Sequence, residues 1–469
     1  MRKLIRKIFH PENLVKPSLI QGGLPSAKEA YTRCWRLAWP SALESVLVAL
    51  VSFVDTVMVG GLGPAAISTV GVTNQPKFLL MAMILSLNVG VTAVVARRKG
   101  EGDIFSANRA LKQAVMVSVS LSLLVTVFGN ILAPDLLRLA GAQADYINDS
   151  VDYFRIIITG QFFGCVGLTI NAAQRGFGNT KISMRSNLVA NLINVLLNYL
   201  LINGIWLFPR LEVRGAAIAT AVGSMVAFGM ALSSVLTHHA DRLSLINDRA
   251  WKFDKQTMKG IFNVSSSAFV EQLFIRFGFF TYASMVARLG TIPFATHQIC
   301  MNIIQISFAF ADGFGVASTS LVGQSLGAKR PDHAMIYGRV GQRYSMCIGI
   351  ALSVLFLLLR KQLIMIFNTD PTIVNMGAQI VCIIAAISLV HTTQVVISGC
   401  LRGAGDSRFV AISSFISIGI IRPGLSYLLC YPIGLGLTGA WLGMFLDQFM
   451  RTVLNLWRYK GAEWTKIKI

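Results

Sequence analysis

The segment SNLVANLINVLLNYLL, residues 186–201, carries asparagine at 187, 191, 194 and 198 in otherwise apolar sequence. Steps of four, three and four put all four amides on one face of an α-helix. An earlier polar stripe, Ser41, Glu44, Ser45, Ser52, Asp55 and Thr56, also follows helical spacing, with Val48 filling the gap. Glu44 and Asp55 share one face at different depths, about 16 Å apart along the helix axis. One acid, two or three amides and a hydroxyl make an oxygen-lined site for a proton or a hard cation such as Na⁺. Asp55 is the expected acid, because its neighbours offer hydroxyl oxygens. Asn194 and Asn198 stand one turn apart, and Thr220 lies in the following apolar run, GAAIATAVG. The competing reading is structural: an acid satisfied by hydrogen bonds, and amides joining helix to helix at about 1 kcal/mol per contact. That reading fits Asn187 and Asn191 equally well.

These residues must be positioned inside a membrane. The 469 residues are 54% hydrophobic and only 13% charged, whereas a soluble chain averages about 25% charged. Mean hydropathy is +0.62, and long apolar runs recur, each sufficient for a bilayer core of about 30 Å. The formal charge of +21 does not collect into one cationic domain, so nucleic acid is not an expected partner. The seven cysteines show no metal-type spacing and read as packing residues without a disulfide framework.

Twelve helices are expected, near 37–60, 74–97, 112–134, 152–173, 183–205, 214–237, 258–287, 298–323, 340–360, 374–400, 408–431 and 436–457. The start, MRKLIRKIF, reads as an interfacial amphipathic helix or a solvated basic tail, and no cleavable signal peptide is expected. Of the 42 basic residues, 32 fall in the tails and the even-to-odd loops, and 6 in the odd-to-even loops. Both termini are therefore expected in the cytoplasm.

The chain repeats itself. Residues 42–100 lie on 269–327 without a gap, at an offset of 227, which sets Glu44 on Glu271 and Leu62-Gly63 on Leu289-Gly290. The same offset sets RGFGNT (175–180) on RGAGDS (402–407). Six helices per half make the repeat parallel, about an axis along the membrane normal. The expected architecture is an all-α integral membrane protein of twelve transmembrane helices in two pseudo-symmetric six-helix lobes. It comprises a basic tail (1–36), an N-lobe (37–237), a cytoplasmic linker (238–257), a C-lobe (258–457) and a second tail (458–469).

From about residue 30 onward the sequence resembles the multidrug and toxic compound extrusion (MATE) transporters, especially their NorM-like bacterial branch. The resemblance rests on FVDTVMVGGLG (53–63), RGFGNTK (175–181), NVLLNY (194–199), VASTSLVGQSLGA (316–328) and QVVISGCLRGAGD (394–406). It implies export of cationic or amphipathic compounds coupled to inward H⁺ or Na⁺. Asp55 matches the family's first-helix aspartate, and Asn194, Asn198 and Thr220 its companions in an N-lobe cation site. Glu271, in AFVEQLFIRF, matches a seventh-helix glutamate used in coupling or substrate binding; its alternative is an ion pair with Arg276 or Arg422. The family's tenth-helix aspartate falls on His391 here. That departure argues against a sodium site in the C-lobe, since neutral imidazole is a poor ligand for a hard cation, and leaves His391 to titrate or touch substrate. Glu44 is a further candidate at this second site; Asp312 and Asp447 receive no role.

The functional expectation is an alternating-access antiporter, monomeric, in the bacterial plasma (inner) membrane, with lipid around it and no cofactor beyond the coupling ion. The alternative is a flippase for lipid-linked saccharides of the same architecture, which needs basic residues facing a central cleft. No zinc-protease motif, nucleophile elbow or phosphate loop supports an enzyme or an ATP-driven pump.

Overall fold

Apolar runs punctuated by Gly, Pro and Asp turns form helices throughout the computed structural model. It describes residues 10–143, 146–205, 208–237, 241–246, 251 and 253–467. The basic stretch 1–9 and part of the 238–257 segment lie outside the described residues. Among the described residues there is no strand. The helices are α1 (Ala27–Gly60), α2 (Pro64–Gly100), α3 (Ile104–Ile131), α4 (Ala133–Leu139), α5 (Ile147–Phe177), α6 (Thr180–Asn203) and α7 (Glu212–Ser233). The second series is α8 (Lys255–Ala287), α9 (Thr291–Gly327), α10 (Pro331–Leu358), α11 (Arg360–Met365), α12 (Pro371–Ala404), α13 (Ser407–Cys430) and α14 (Gly436–Gly461).

Leaving out the short α4 and α11, these are the twelve expected spans. Ten of them are long and apolar enough to cross a membrane by length and composition alone. The other two, α8 and α14, carry the most polar interiors, with Glu271 and Arg276 on one and Asp447, Gln448, Arg451 and Asn455 on the other. These charged and amide side chains lower their hydropathy. α13 is interrupted by a π-helical turn, Phe415–Ile421, directly before Pro423, whose missing N–H cannot continue the regular ladder.

The chain forms two compact units. One is Val46–Phe269, and the described residues on either side of it form the other. Both boundaries fall inside helices, α1 and α8, rather than in loops.

The repeat holds at the level of single atoms. Within the first unit, Thr92 Oγ1 of α2 donates to the Ala172 carbonyl of α5 at 3.1 Å. Within the second, Thr319 Oγ1 of α9 donates to the Gly399 carbonyl of α12 at 2.9 Å. One turn later, Gly176 and Gly403 lie so close to the backbones of Thr92 and Thr319 that a Cβ would overlap them. The two helices then end on Gly178 (φ 101°) and Gly405 (φ 92°), left-handed caps that glycine adopts without strain. The RGxG loops thus combine a close helix crossing with a helix stop. Valine at Gly176 or Gly403 is expected to cost about 1–3 kcal/mol by overpacking against backbone. Thermal unfolding of each purified variant in detergent checks this.

Candidate functional site

Of the four ladder residues, Asn194 and Asn198 meet Asp55 within the Val46–Phe269 unit. Asp55 is half-buried on α1, while Asn194 and Asn198 on α6 are buried. Asn198 Nδ2 donates to Asp55 Oδ1 at 2.6 Å. In the orientation that satisfies both ends of its amide, Asn194 donates to the same Oδ1 at 3.0 Å and accepts from Thr220 Oγ1 and the Thr220 backbone N–H, each at 3.2 Å. Turned over, Asn194 Nδ2 donates to Thr220 Oγ1 at 3.2 Å and its oxygen accepts from Asn198 Nδ2 at 3.4 Å. The first orientation, which satisfies both ends of the amide, makes Asn194 a donor to the Asp55 carboxylate.

One acceptor is left over. Asn198 Oδ1 is buried without a hydrogen-bond partner, and an orphaned buried oxygen beside a carboxylate fits a hard cation. Among the described residues no group of three or more His, Cys, Asp or Glu is placed to hold a metal ion. The donor set is thus one carboxylate with amide and hydroxyl oxygens, suited to Na⁺ or H⁺ rather than to a transition metal.

Asp55 lies five residues before the end of α1 at Gly60, about 8 Å along the axis, so the site sits towards one membrane face. A layer of Val59, Tyr153, Ile157, Ile202 and Ala216 packs beside it. Lys77 of α2 interacts electrostatically with Asp55. The sequence showed this lysine inside a span but gave no reason to place it near the aspartate, because that proximity comes from tertiary packing. Lys77→Met is expected to raise the apparent affinity for the coupling cation severalfold by removing a competing positive charge; a cation titration of transport rate reads this out.

Beside the ladder an apolar groove of about 600 Å³ is lined by residues including Leu47, Val51, Met58, Leu188, Leu192 and Tyr199. Asn191 lines it too, and its Nδ2 has no partner.

The other predicted residues lie in the second unit. Glu271 is buried on α8 and paired, though not with Arg276 or Arg422. It accepts from Arg402 Nη2 at 2.6 Å and from Ser414 Oγ at 3.1 Å. Arg402 belongs to the RGAGD motif, and sequence position alone assigned it to a cytoplasmic loop. Arg422 instead holds Asp447, with Nε and Nη2 at 2.8 and 2.5 Å from Oδ2. His391 is buried, with Nδ1 3.2 Å from Gln448 Oε1, and makes no recorded contact with Glu271. Glu44 is buried on the part of α1 that belongs to this unit, so Glu44 and Asp55, on one helix, fall in different units. Asp312 is exposed in the middle of α9.

Comparison with known proteins places the chain in a family. The MatE family model matches residues 40–200 and 267–428, two copies whose starting points differ by the offset found in the sequence. The chain is 28% identical over 458 residues to the probable multidrug resistance protein NorM of Thermotoga maritima, covering 96% of this chain and 97% of that protein. Two solved structures share the fold. A MOP superfamily transporter from Pyrococcus furiosus, described as having a binding pocket of reverse polarity, aligns with a TM-score of 0.87 at 20% identity, over 94% of this chain and 97% of its own. An outward-facing multidrug resistance MATE family transporter aligns with a TM-score of 0.87 at 19% identity, over 92% and 97%. Matched twice by one model and across most of its length, this multi-pass membrane protein belongs to the MatE family of transporters.

Proposed function

We propose that the chain is a secondary active multidrug antiporter that exports cationic or amphipathic compounds in exchange for H⁺ or Na⁺. The observation that carries this reading is the convergence of Asn198 and Asn194 on the single carboxylate of Asp55, with Thr220 bonded to Asn194 behind them. With Asp55 ionised, both amides donate to it. A proton or Na⁺ at Asp55 removes that acceptor and turns the Asn194 oxygen inward, which changes how α1, α6 and α7 pack. Coupling follows if the ion and the exported compound favour different packings; equal affinity for both would shift nothing. The adjoining groove has the volume of a drug-sized ligand, and its apolar wall suits the lipophilic body of such a compound.

The remaining parts belong to the same proposal. The transport lobes are 37–237 and 258–457, joined through 238–257; both termini are cytoplasmic in a bacterial inner membrane; the protein acts as a monomer without a cofactor. Export of lipid-linked saccharides is the weaker reading: it needs basic residues facing a cleft, and the intramembrane Arg422 is instead buried against Asp447. The test is efflux of a fluorescent lipophilic cation from proteoliposomes under an imposed H⁺ gradient and, separately, an Na⁺ gradient. Efflux following one gradient identifies the coupling ion. No movement under either gradient removes the drug-export reading.

A further inference from the structure

Among the described residues two arginines are buried, Arg422 and Arg451, both in the unit that contains α9 to α14, and only the first has a carboxylate; Arg402, half-buried, has one too. Arg422 holds Asp447, and Arg402 holds Glu271. Arg451, on α14, is 6% exposed. Its Nη2 donates to the neutral Gln448 Oε1 at 2.9 Å, and its Nε has no partner. Among the described residues no carboxylate stands within ion-pair distance of it. Asp447 and Glu271 act on it only from farther away, and each is already engaged. A guanidinium buried in a membrane helix without its own anion is costly.

A second observation concerns the same place. His391 Nδ1 meets the same Gln448 oxygen at 3.2 Å, and its ring lies 4.0 Å from that of Phe308, tilted 33°. His391 occupies the position where the family resemblance leads one to expect an aspartate. Among the described residues no negative charge therefore stands beside Arg451, the one buried guanidinium there without an ion pair.

We infer that Arg451 is the binding point for an anionic group on the transported compound. The ligand class is an amphipathic aromatic carboxylate, with Phe308 and His391 as the wall against its flat body. The carboxylate supplies the charge that the described residues do not, and it accepts from the Arg451 guanidinium. This inference deepens the antiporter reading and rests on it for the word transported. The second-lobe site then selects for zwitterionic or acidic amphiphiles, while a cationic group is held elsewhere.

The test is binding of two probes to the detergent-solubilised full chain by fluorescence polarisation: a rhodamine with a free carboxylate, and its methyl ester. Wild type is expected to bind the acid about tenfold more tightly, the usual scale of one charge-assisted hydrogen bond in a buried site. Arg451→Gln is expected to abolish the preference. His391→Asp, which adds a carboxylate beside Arg451 while retaining the guanidinium, is expected to abolish it too, so the outcome does not depend on Arg451→Gln folding. Equal binding of the two probes by wild type, binding of neither, or a preference that survives His391→Asp overturns the inference. Gradient-driven efflux of the ester is scored separately. Its absence, with the acid preference intact, would reject the antiporter and leave the anion site standing.

Discussion

Asp55→Asn abolishes gradient-driven efflux, lowering the coupled rate by about two orders of magnitude or more while the protein stays folded. Moving a two-state equilibrium from one side to the other requires roughly a 10⁴-fold difference in ion affinity between the states, and Asp55 is the only charged member of its donor set. The substitution keeps the side chain's shape. An amide oxygen at position 55 still accepts from Asn198, now at 2.6 Å from Asp55 Oδ1. What disappears is the group that takes up a proton or neutralises Na⁺. Dye binding in detergent is expected to persist, because the adjoining groove is apolar. Efflux that still follows the gradient in this variant would move the coupling role to another acid, Glu271 first.

The second large effect is on stability. Arg422→Met is expected to cost about 3–5 kcal/mol, because it strands a buried carboxylate. Arg422 and Asp447 have side-chain exposures of 1% and 0%, and the guanidinium also stacks over Phe279, 4.8 Å from the ring centroid. The pair is not fully satisfied: Arg422 Nη1 and Asp447 Oδ1 have no partner. Replacing both residues, Arg422→Met with Asp447→Leu, is therefore expected to recover most of the loss, since an apolar pair has no unmet hydrogen bonds. Thermal unfolding of the single and double variants in the same detergent separates the cases. A double variant as unstable as the single would show that packing of the arginine stem, rather than its charge, holds this part of α14.

The sequence revealed those features that depend on local pattern. Helical spacing aligned Asn194 with Asn198, and the RGxG loops announced themselves because the chain needs glycine both at the crossing (Gly176, Gly403) and at the cap (Gly178, Gly405). Relations set by packing between distant helices were hidden. Arg402 sits two residues before the end of α12, where a lysine or arginine ordinarily reports topology, and Arg451 lies inside α14. Only the fold turns one onto Glu271 and buries the other beside His391. Lys77 was visible as an intramembrane lysine, but its effect on Asp55 depends on how α2 lies against α1. The unit boundaries inside α1 and α8 were equally out of reach, since a continuous helix carries no mark of where its packing partners change.

The account centres on Asp55, Asn194, Asn198 and Thr220 acting as one cation site. Its most direct test is equilibrium binding of the coupling cation to purified wild type and to the Asp55→Asn and Asn198→Ala variants. Radiolabelled Na⁺ is counted in one arm, and proton release on adding a lipophilic cationic dye is followed in the other. The account predicts saturable binding of one of the two ions by wild type, none by Asp55→Asn, and at least about tenfold weaker binding by Asn198→Ala, which loses a charge-assisted hydrogen bond. Unchanged ion binding in Asp55→Asn would contradict it.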